Sequence, residues 1–245
     1  MGRNTGKLAW AVLALTVLYS CTAYKASRQY QKVQQPKLGT VVQQQGQMGL
    51  VEYTREVGQL QITKPLAVKV VALPFNKHSY GQYTTYLKNT RRANTIPYND
   101  SLPIPPRYVQ LELANQVALT QLLNAPKNQA LCDFIAQDAD FGLVSTISLT
   151  ATDENLVTFT NATHVLLEQD TLGKLYFKIV HDNGEQFIYF EELQLFDFEI
   201  LSFCWAEDHY LKKRVVNLLP KGQRCPKGTH KKPVKAEQER DYLKF

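Results

Sequence analysis

Asp197 and Glu199 stand two residues apart in a run, residues 193–203, whose alternate positions Phe196, Phe198 and Ile200 are apolar. In a strand that spacing puts both acids on one face with Cβ atoms roughly 7 Å apart, a separation open to acid–base work on a glycosidic bond. A strand that simply turns a polar face to water gives the same letters, so no catalytic residue is assigned. Just downstream, Cys204-Trp-Ala-Glu-Asp-His209 and Cys225-Pro-Lys-Gly-Thr-His230 repeat a Cys-x4-His spacing. Two thiolates and two imidazoles could close a tetrahedral zinc set. In an oxidising compartment Cys204 and Cys225 would instead pair, and a loop of that size would gain about 3 kcal/mol. We expect the disulfide, with no metal and no cofactor. Tyr80, Tyr83 and Tyr86 recur every third residue and Arg91-Arg92 follow them. Rings so placed could bind a ligand or partner by stacking, although tyrosines three apart also pack on a core from one short helix. Cys132, with no histidine near it in sequence, reads as a small core residue rather than a nucleophile.

The elements that would position these residues follow from periodicity. Residues 66–75 are β-branched and bounded by Pro65 and Pro74, which predicts a buried strand; Tyr108-Val-Gln-Leu-Glu-Leu113 alternates and predicts a half-buried one. Between them, residues 76–106 carry Pro97, Asn99, Pro103, Pro105 and Pro106 and read as a long loop, a place to look for binding. Two helices are expected next, 116–123 capped by Asn115 and 128–136 with Leu131, Phe134 and Ile135 on one stripe. From Gly142 the pattern turns to strand: 143–150, 164–168, 174–181, 185–190 and 193–203. Asp182-Asn-Gly184 between two apolar runs signals a hairpin, because Asn-Gly tolerates the positive φ that such turns require. The expected fold is α+β, an antiparallel sheet with about two helices.

The N-terminus speaks of address. Arg3 and Lys7 precede an apolar stretch, residues 8–18, which has the charged and hydrophobic regions of an export signal. Leu18-Tyr-Ser-Cys21 then resembles a bacterial lipobox. That resemblance implies cleavage before Cys21 and lipidation of its thiol, usually with a further palmitate-like chain on the new amine. Two or three acyl chains hold a protein on a bilayer where one does so only marginally. Two other outcomes remain open. The 17 uncharged residues between Lys7 and Lys25 could form an uncleaved anchor, and an ordinary cut could follow Cys21-Thr-Ala23. In lipoproteins of this kind an aspartate after the cysteine retains the protein at the inner membrane and an acidic cluster exports it to the surface. Thr22-Ala-Tyr-Lys25 is neither, so the resemblance implies the outer membrane with the domain facing the periplasm.

Charge is segregated along the chain. Residues 1–50 carry six Lys/Arg and no acid, residues 212–245 eleven against three, and residues 51–211 eleven against nineteen. A nucleic-acid domain puts its basic face on the folded surface, so this acidic middle argues against that class. Basic ends suit an anionic bilayer, though a charge run is also simply a solvated tail. Eight glutamines between Gln29 and Gln47 mark residues 21–48 as a flexible tether, with an end-to-end distance of roughly 30 Å. The expected organisation is therefore signal 1–20, tether 21–48, globular domain 49–211, and a basic C-terminal segment 212–245 partly stapled to the domain. The Cys-Trp and Cys-Pro-Lys-Gly-Thr segments resemble those of Bacteroidota lipoproteins, a likeness that implies no particular activity. The expected role is a non-enzymatic accessory or interaction subunit of an outer-membrane complex, with an envelope protein as partner; the alternative is a glycan-binding or glycan-cleaving periplasmic lipoprotein.

Overall fold

The computed structural model describes residues 35–45, 53–150 and 153–236. The expected signal segment 1–20, the lipidation position Cys21 and residues 22–34 and 46–48 of the expected tether lie outside the described residues. Within them the fold is α+β, with every strand pairing antiparallel. In chain order the strands are β1 (Thr40–Gln45), β2 (Tyr53–Gln59), β3 (Leu66–Pro74), β4 (Arg107–Leu113), β5 (Phe141–Thr150), β6 (His164–Gln169), β7 (Leu175–His181), β8 (Gly184–Tyr189), β9 (Gln194–Glu207) and β10 (Lys213–Pro220). The helices are α1 (Lys77–Thr90), α2 (Gln116–Leu123), α3 (Gln129–Ile135), α4 (Asp153–Thr160) and the short α5 (Pro233–Ala236). Among the described residues no helix is long and apolar enough to cross a membrane.

The strands line up as β10-β9-β5-β4-β3-β6-β7-β8, with β1 also beside β5 and β2 beside β1. The branch at β5 explains its sequence. One edge pairs with β9 over residues 142–150; the other takes β1 at 141–143 and β4 at 146–149. A strand paired on both edges and covered on both faces is buried along nearly its whole length, and β5 is buried from Phe141 to Leu149. Gly142 answers a close approach there. A Cβ at that position would lie 2.7 Å from Cγ2 of Ile200 and 3.0 Å from the Leu201 carbonyl oxygen.

Two bulges in the β5–β9 ladder decide where side chains point. Val144 pairs with Ile200 and Thr146 with Glu199, leaving Ser145 extra; Ser148 pairs with Asp197 and Leu149 with Leu195, leaving Phe196 extra. Strict alternation puts Phe196 with Phe198 and Ile200. The bulge instead sends Phe196 to the opposite face, while Phe198 and Ile200 pack on the main core.

That main core fills one side of a curled sheet. Leu38, Val41 and Val42 from the N-terminal end share it with Leu175, Phe177 and Ile188 from the far end, although β1 and β7 are not neighbours. Hydrogen bonds close the curl: Gln59 Nε2 donates to the Gly173 carbonyl at 3.0 Å, and the Ile62 amide to Gln169 Oε1 at 2.9 Å. Helices α2, α3 and α4 add Leu119, Leu123, Ile135 and Phe159. On the opposite face α1 covers a smaller aromatic layer.

Several expectations change. The tether ends earlier than residue 48, because Thr40–Gln45 is a sheet strand and Leu38, Val41 and Val42 are buried; three aliphatic side chains outweigh the local glutamines. The C-terminal boundary at 212 also cuts through structure, since Lys213–Pro220 pairs with β9 as β10. Residues 77–90 of the expected loop are α1, and Asp153–Thr160 is a further helix. The hairpin forms where expected, but its turn residues are Asp182 and Asn183, with Gly184 opening β8 opposite His181 at φ 150°.

Candidate functional site

Three separate places carry candidate chemistry, two of them reached from the sequence. The first is the layer under α1. Asn76 starts that helix with a reciprocal cap: its Oδ1 accepts from the Ser79 amide at 2.9 Å, and its own amide donates to Ser79 Oγ at 3.0 Å. Three residues per step then carries Tyr80, Tyr83 and Tyr86 down one side of the helix. Tyr83 and Tyr86 are buried against Phe75, Tyr108 and Phe196, with Phe75 centred 5.7 Å from Tyr83 and 4.9 Å from Tyr108. Of the two readings of the row, stacking on a ligand or packing on a core from a short helix, Tyr83 and Tyr86 take the packing one. Tyr80 is half-buried, stacks on Tyr98 at 4.5 Å and donates its hydroxyl to the Ile96 carbonyl at 3.1 Å. Arg91 ends the helix in the left-handed conformation at φ 55°, and the Arg92 guanidinium lies 6.0 Å from the Tyr86 ring. Both arginines therefore serve the end of α1.

Asp197 lies at the margin of this layer. It and Glu199 share the face expected for them, opposite Ser148 and Thr146 of β5. Burial pushes the Asp197 carboxyl above the usual aspartate range and the Glu199 charge adds to the rise, while the Phe198 amide, the Gln82 side chain and the nearby His78 hold it back. Burial likewise raises the Tyr108 phenol, opposed by a hydrogen bond with Ser79. Asp197 is thus a carboxyl that keeps its proton to higher pH beside a ring-filled layer, which is the profile of a weak acid.

The second place is the disulfide. Cys204 and Cys225 are bonded to each other, as expected. Both thiols are consumed, so the Cys204, His209, Cys225, His230 zinc set does not exist in this state. Backbone bonds of 2.8 and 2.9 Å tie His230 to Trp205, and the His209 ring lies tilted against Tyr210, 3.8 Å between centres. Among the described residues no group of three or more His, Cys, Asp and Glu is placed to hold a metal. Cys132 is buried, and desolvation, with Asp133 beside it, pushes its thiol up to about 11; it is a core residue.

The third place was not singled out by sequence. The outer face of β6, β7 and β8 carries a grid fixed by register. Glu168, Tyr176 and Tyr189 form one row; Leu166, Lys178 and Phe187 form the next. Phe187 is 52% exposed and Tyr189 36%. The Tyr176 ring lies 5.8 Å from Phe187 and 5.6 Å from Tyr189, and its hydroxyl donates to Glu168 Oε2 at 2.7 Å, which pushes that phenol up to about 12. Lys178 pairs with Glu185 at 2.8 Å. The hairpin register alone would have found this grid: once the turn is set at 182–183, residue 176 faces 189 and 178 faces 187. Comparison of the chain with protein-family models, with curated proteins and with solved structures returns no match.

Proposed function

We propose that the chain is a lipid-anchored protein of the cell envelope, attached through Cys21 to the outer membrane with its domain in the periplasm. There it acts as a non-enzymatic docking subunit of a membrane complex. The observation that carries the docking role is the exposed aromatic grid of Tyr176, Phe187 and Tyr189 at the end of the sheet. Exposed aromatics grouped on one face are what partner surfaces use. The Cys204–Cys225 disulfide supports the oxidising address that the signal-like N-terminus implies. The test begins with intact mass on protein extracted from membranes without reductant, then mild-detergent purification at native abundance. Acylated Cys21, a mass two hydrogens below the reduced form and a stoichiometric partner are expected. An unprocessed N-terminus or a solitary protein would sink the proposal.

The second proposal, a glycan-binding or glycan-cleaving protein, keeps one supporting observation: Asp197 and Glu199 on one face, with Asp197 raised by burial. A raised carboxyl is suited to donate a proton to a leaving oxygen. Hydrolysis or retention on peptidoglycan and polysaccharide panels, lost in Asp197→Asn, is its test. Failure on every panel removes it.

A further inference from the structure

We infer that the outer edge of β8 is an addition site for an extended, basic peptide strand of a partner protein. The inference rests on the docking role above and names its site and the chemistry of its partner. β8 ends the strand order and, among the described residues, pairs only with β7. The two-residue turn makes His181 and Gly184 the closing hydrogen-bonded pair, so strict antiparallel alternation turns the amides and carbonyls of Glu185, Phe187 and Tyr189 away from β7. Two contacts agree with that phase. The Val180 carbonyl, opposite Glu185, accepts from Thr163 on the β6 side at 2.8 Å, and the Tyr189 amide donates outward to Glu192 Oε1 at 3.1 Å. Glu192 therefore closes one end of the edge. Glu185 and Phe187 present the main-chain donors and acceptors of a strand without proline or bulge, the geometry that strand addition uses.

The side chains and charge define the occupant. Phe187 and Tyr189 stand on the outer face beside the edge, where alternate apolar side chains of an added strand would lie against them. Residues 164–192 contain six Asp/Glu and two Lys; Lys178 pairs with Glu185 and Lys37 with Glu191, which leaves Glu168, Asp170, Asp182 and Glu192 against Lys174. An acidic edge attracts a strand whose polar positions are Lys or Arg and disfavours a second copy of itself. The rings are not coplanar: Tyr176 meets Phe187 at 71° and Tyr189 at 45°. A flat sugar chain would need a common plane, so a peptide is favoured.

The test uses the full chain in detergent micelles, titrated with a labelled alternating Lys-Val decapeptide. Its Glu-Val counterpart and a Lys-Val peptide with alternate amides N-methylated are the controls. The Lys-Val peptide alone is expected to bind, more weakly as salt rises, and to slow hydrogen exchange at the Glu185 and Phe187 amides. Phe187→Pro removes one outward donor without touching the β7 ladder and should weaken binding by about tenfold or more. Phe187→Lys, which keeps the backbone donor but sets a like charge against the peptide, covers the case in which the proline variant melts early. Equal binding of the N-methylated peptide, unchanged exchange at β8, or protection by an oligosaccharide and not by peptide would overturn the inference. If a native partner co-purifies with the parent and equally with both Phe187 variants, the docking role stands and the β8 assignment falls. If no partner co-purifies but the peptide binds at β8 as expected, the assignment stands and the docking role falls.

Discussion

Asp197 shows how one residue can be placed correctly from sequence and still be misjudged in its surroundings. The i, i+2 spacing with Glu199 survives in the sheet, but the burial that sets its proton affinity comes from α1, an element not expected there. The consequence for stability has a definite sign. In the unfolded chain Asp197 titrates in the ordinary aspartate range; in the folded domain it titrates higher. Between those two values the folded state holds more protons than the unfolded one, so stability falls as pH rises through the window and stays lower above it. Asp197→Asn is therefore expected to raise Tm at neutral pH, with the gain vanishing once pH drops below the ordinary aspartate range. A Tm difference that does not change with pH would show that burial of the charge is not the cause. Gly142 is the converse case, a residue whose role could not be read from its neighbours in sequence. The close approach of Ile200 and Leu201 comes from β9, some sixty residues away in the chain. Gly142→Ala should cost about 1–3 kcal/mol in denaturant unfolding, and an unchanged midpoint would mean that the β5–β9 ladder shifts to accept the methyl group.

At the scale of elements, the segments that announce themselves by pattern were legible: β3, β4, α2, α3, the β7–β8 hairpin and β9. Each carries its own period, its own caps or its own turn. α1 was not legible as a helix, because Gly81, three threonines and the many prolines after it argue for a loop. Its local signals are the Asn76/Ser79 cap and the three-residue recurrence of Tyr80, Tyr83 and Tyr86, and the rest of its stability comes from the aromatic layer it covers, a contribution that becomes visible only when β4 and β9 are in place. This origin separates packing from binding experimentally. Tyr83→Ala should lower the unfolding free energy by about 3–5 kcal/mol, as large-to-small changes in buried aromatics do. Tyr80→Ala, at a half-buried position, should cost clearly less. Both variants are to be compared by urea denaturation with one probe in α1 and one in the main core. Equal, small losses in the two variants would return the tyrosine row to the list of ligand-binding candidates. β1, β2 and β10 were missed for a related reason. Their sequences, three glutamines in β1, a charged pair and a glycine in β2, and two basic residues, an asparagine and a proline in β10, are weak strands by composition, and each is recruited by an edge already present.

For the whole molecule, the decisive fact is that the domain begins before its sequence looks folded. Leu38, Val41 and Val42 are fully buried in the core that also holds Phe177 and Ile188, and β1 occupies the part of the β5 edge that β4 leaves open. Lys37 reaches across to Glu191 at 2.9 Å, depressing that carboxyl, and lies over the Phe190 ring. The exposed ion pair adds little by itself. The three aliphatic side chains matter far more: burying each is worth roughly 1.5–3 kcal/mol, against a whole-domain stability of about 5–15 kcal/mol. A chain starting at residue 35 keeps all three side chains and should therefore unfold cooperatively. One starting at residue 49, where composition alone places the boundary, should lose most of its stability and bind a hydrophobic dye as the β5 edge and the core beneath it open to water. The two truncations differ by fourteen residues, so urea melts and dye fluorescence on the pair separate the alternatives directly. If the shorter chain melts like the longer one, residues 35–45 are an ornament on a core that stands without them, and the curl of the sheet must be held by the Gln59 and Gln169 hydrogen bonds alone.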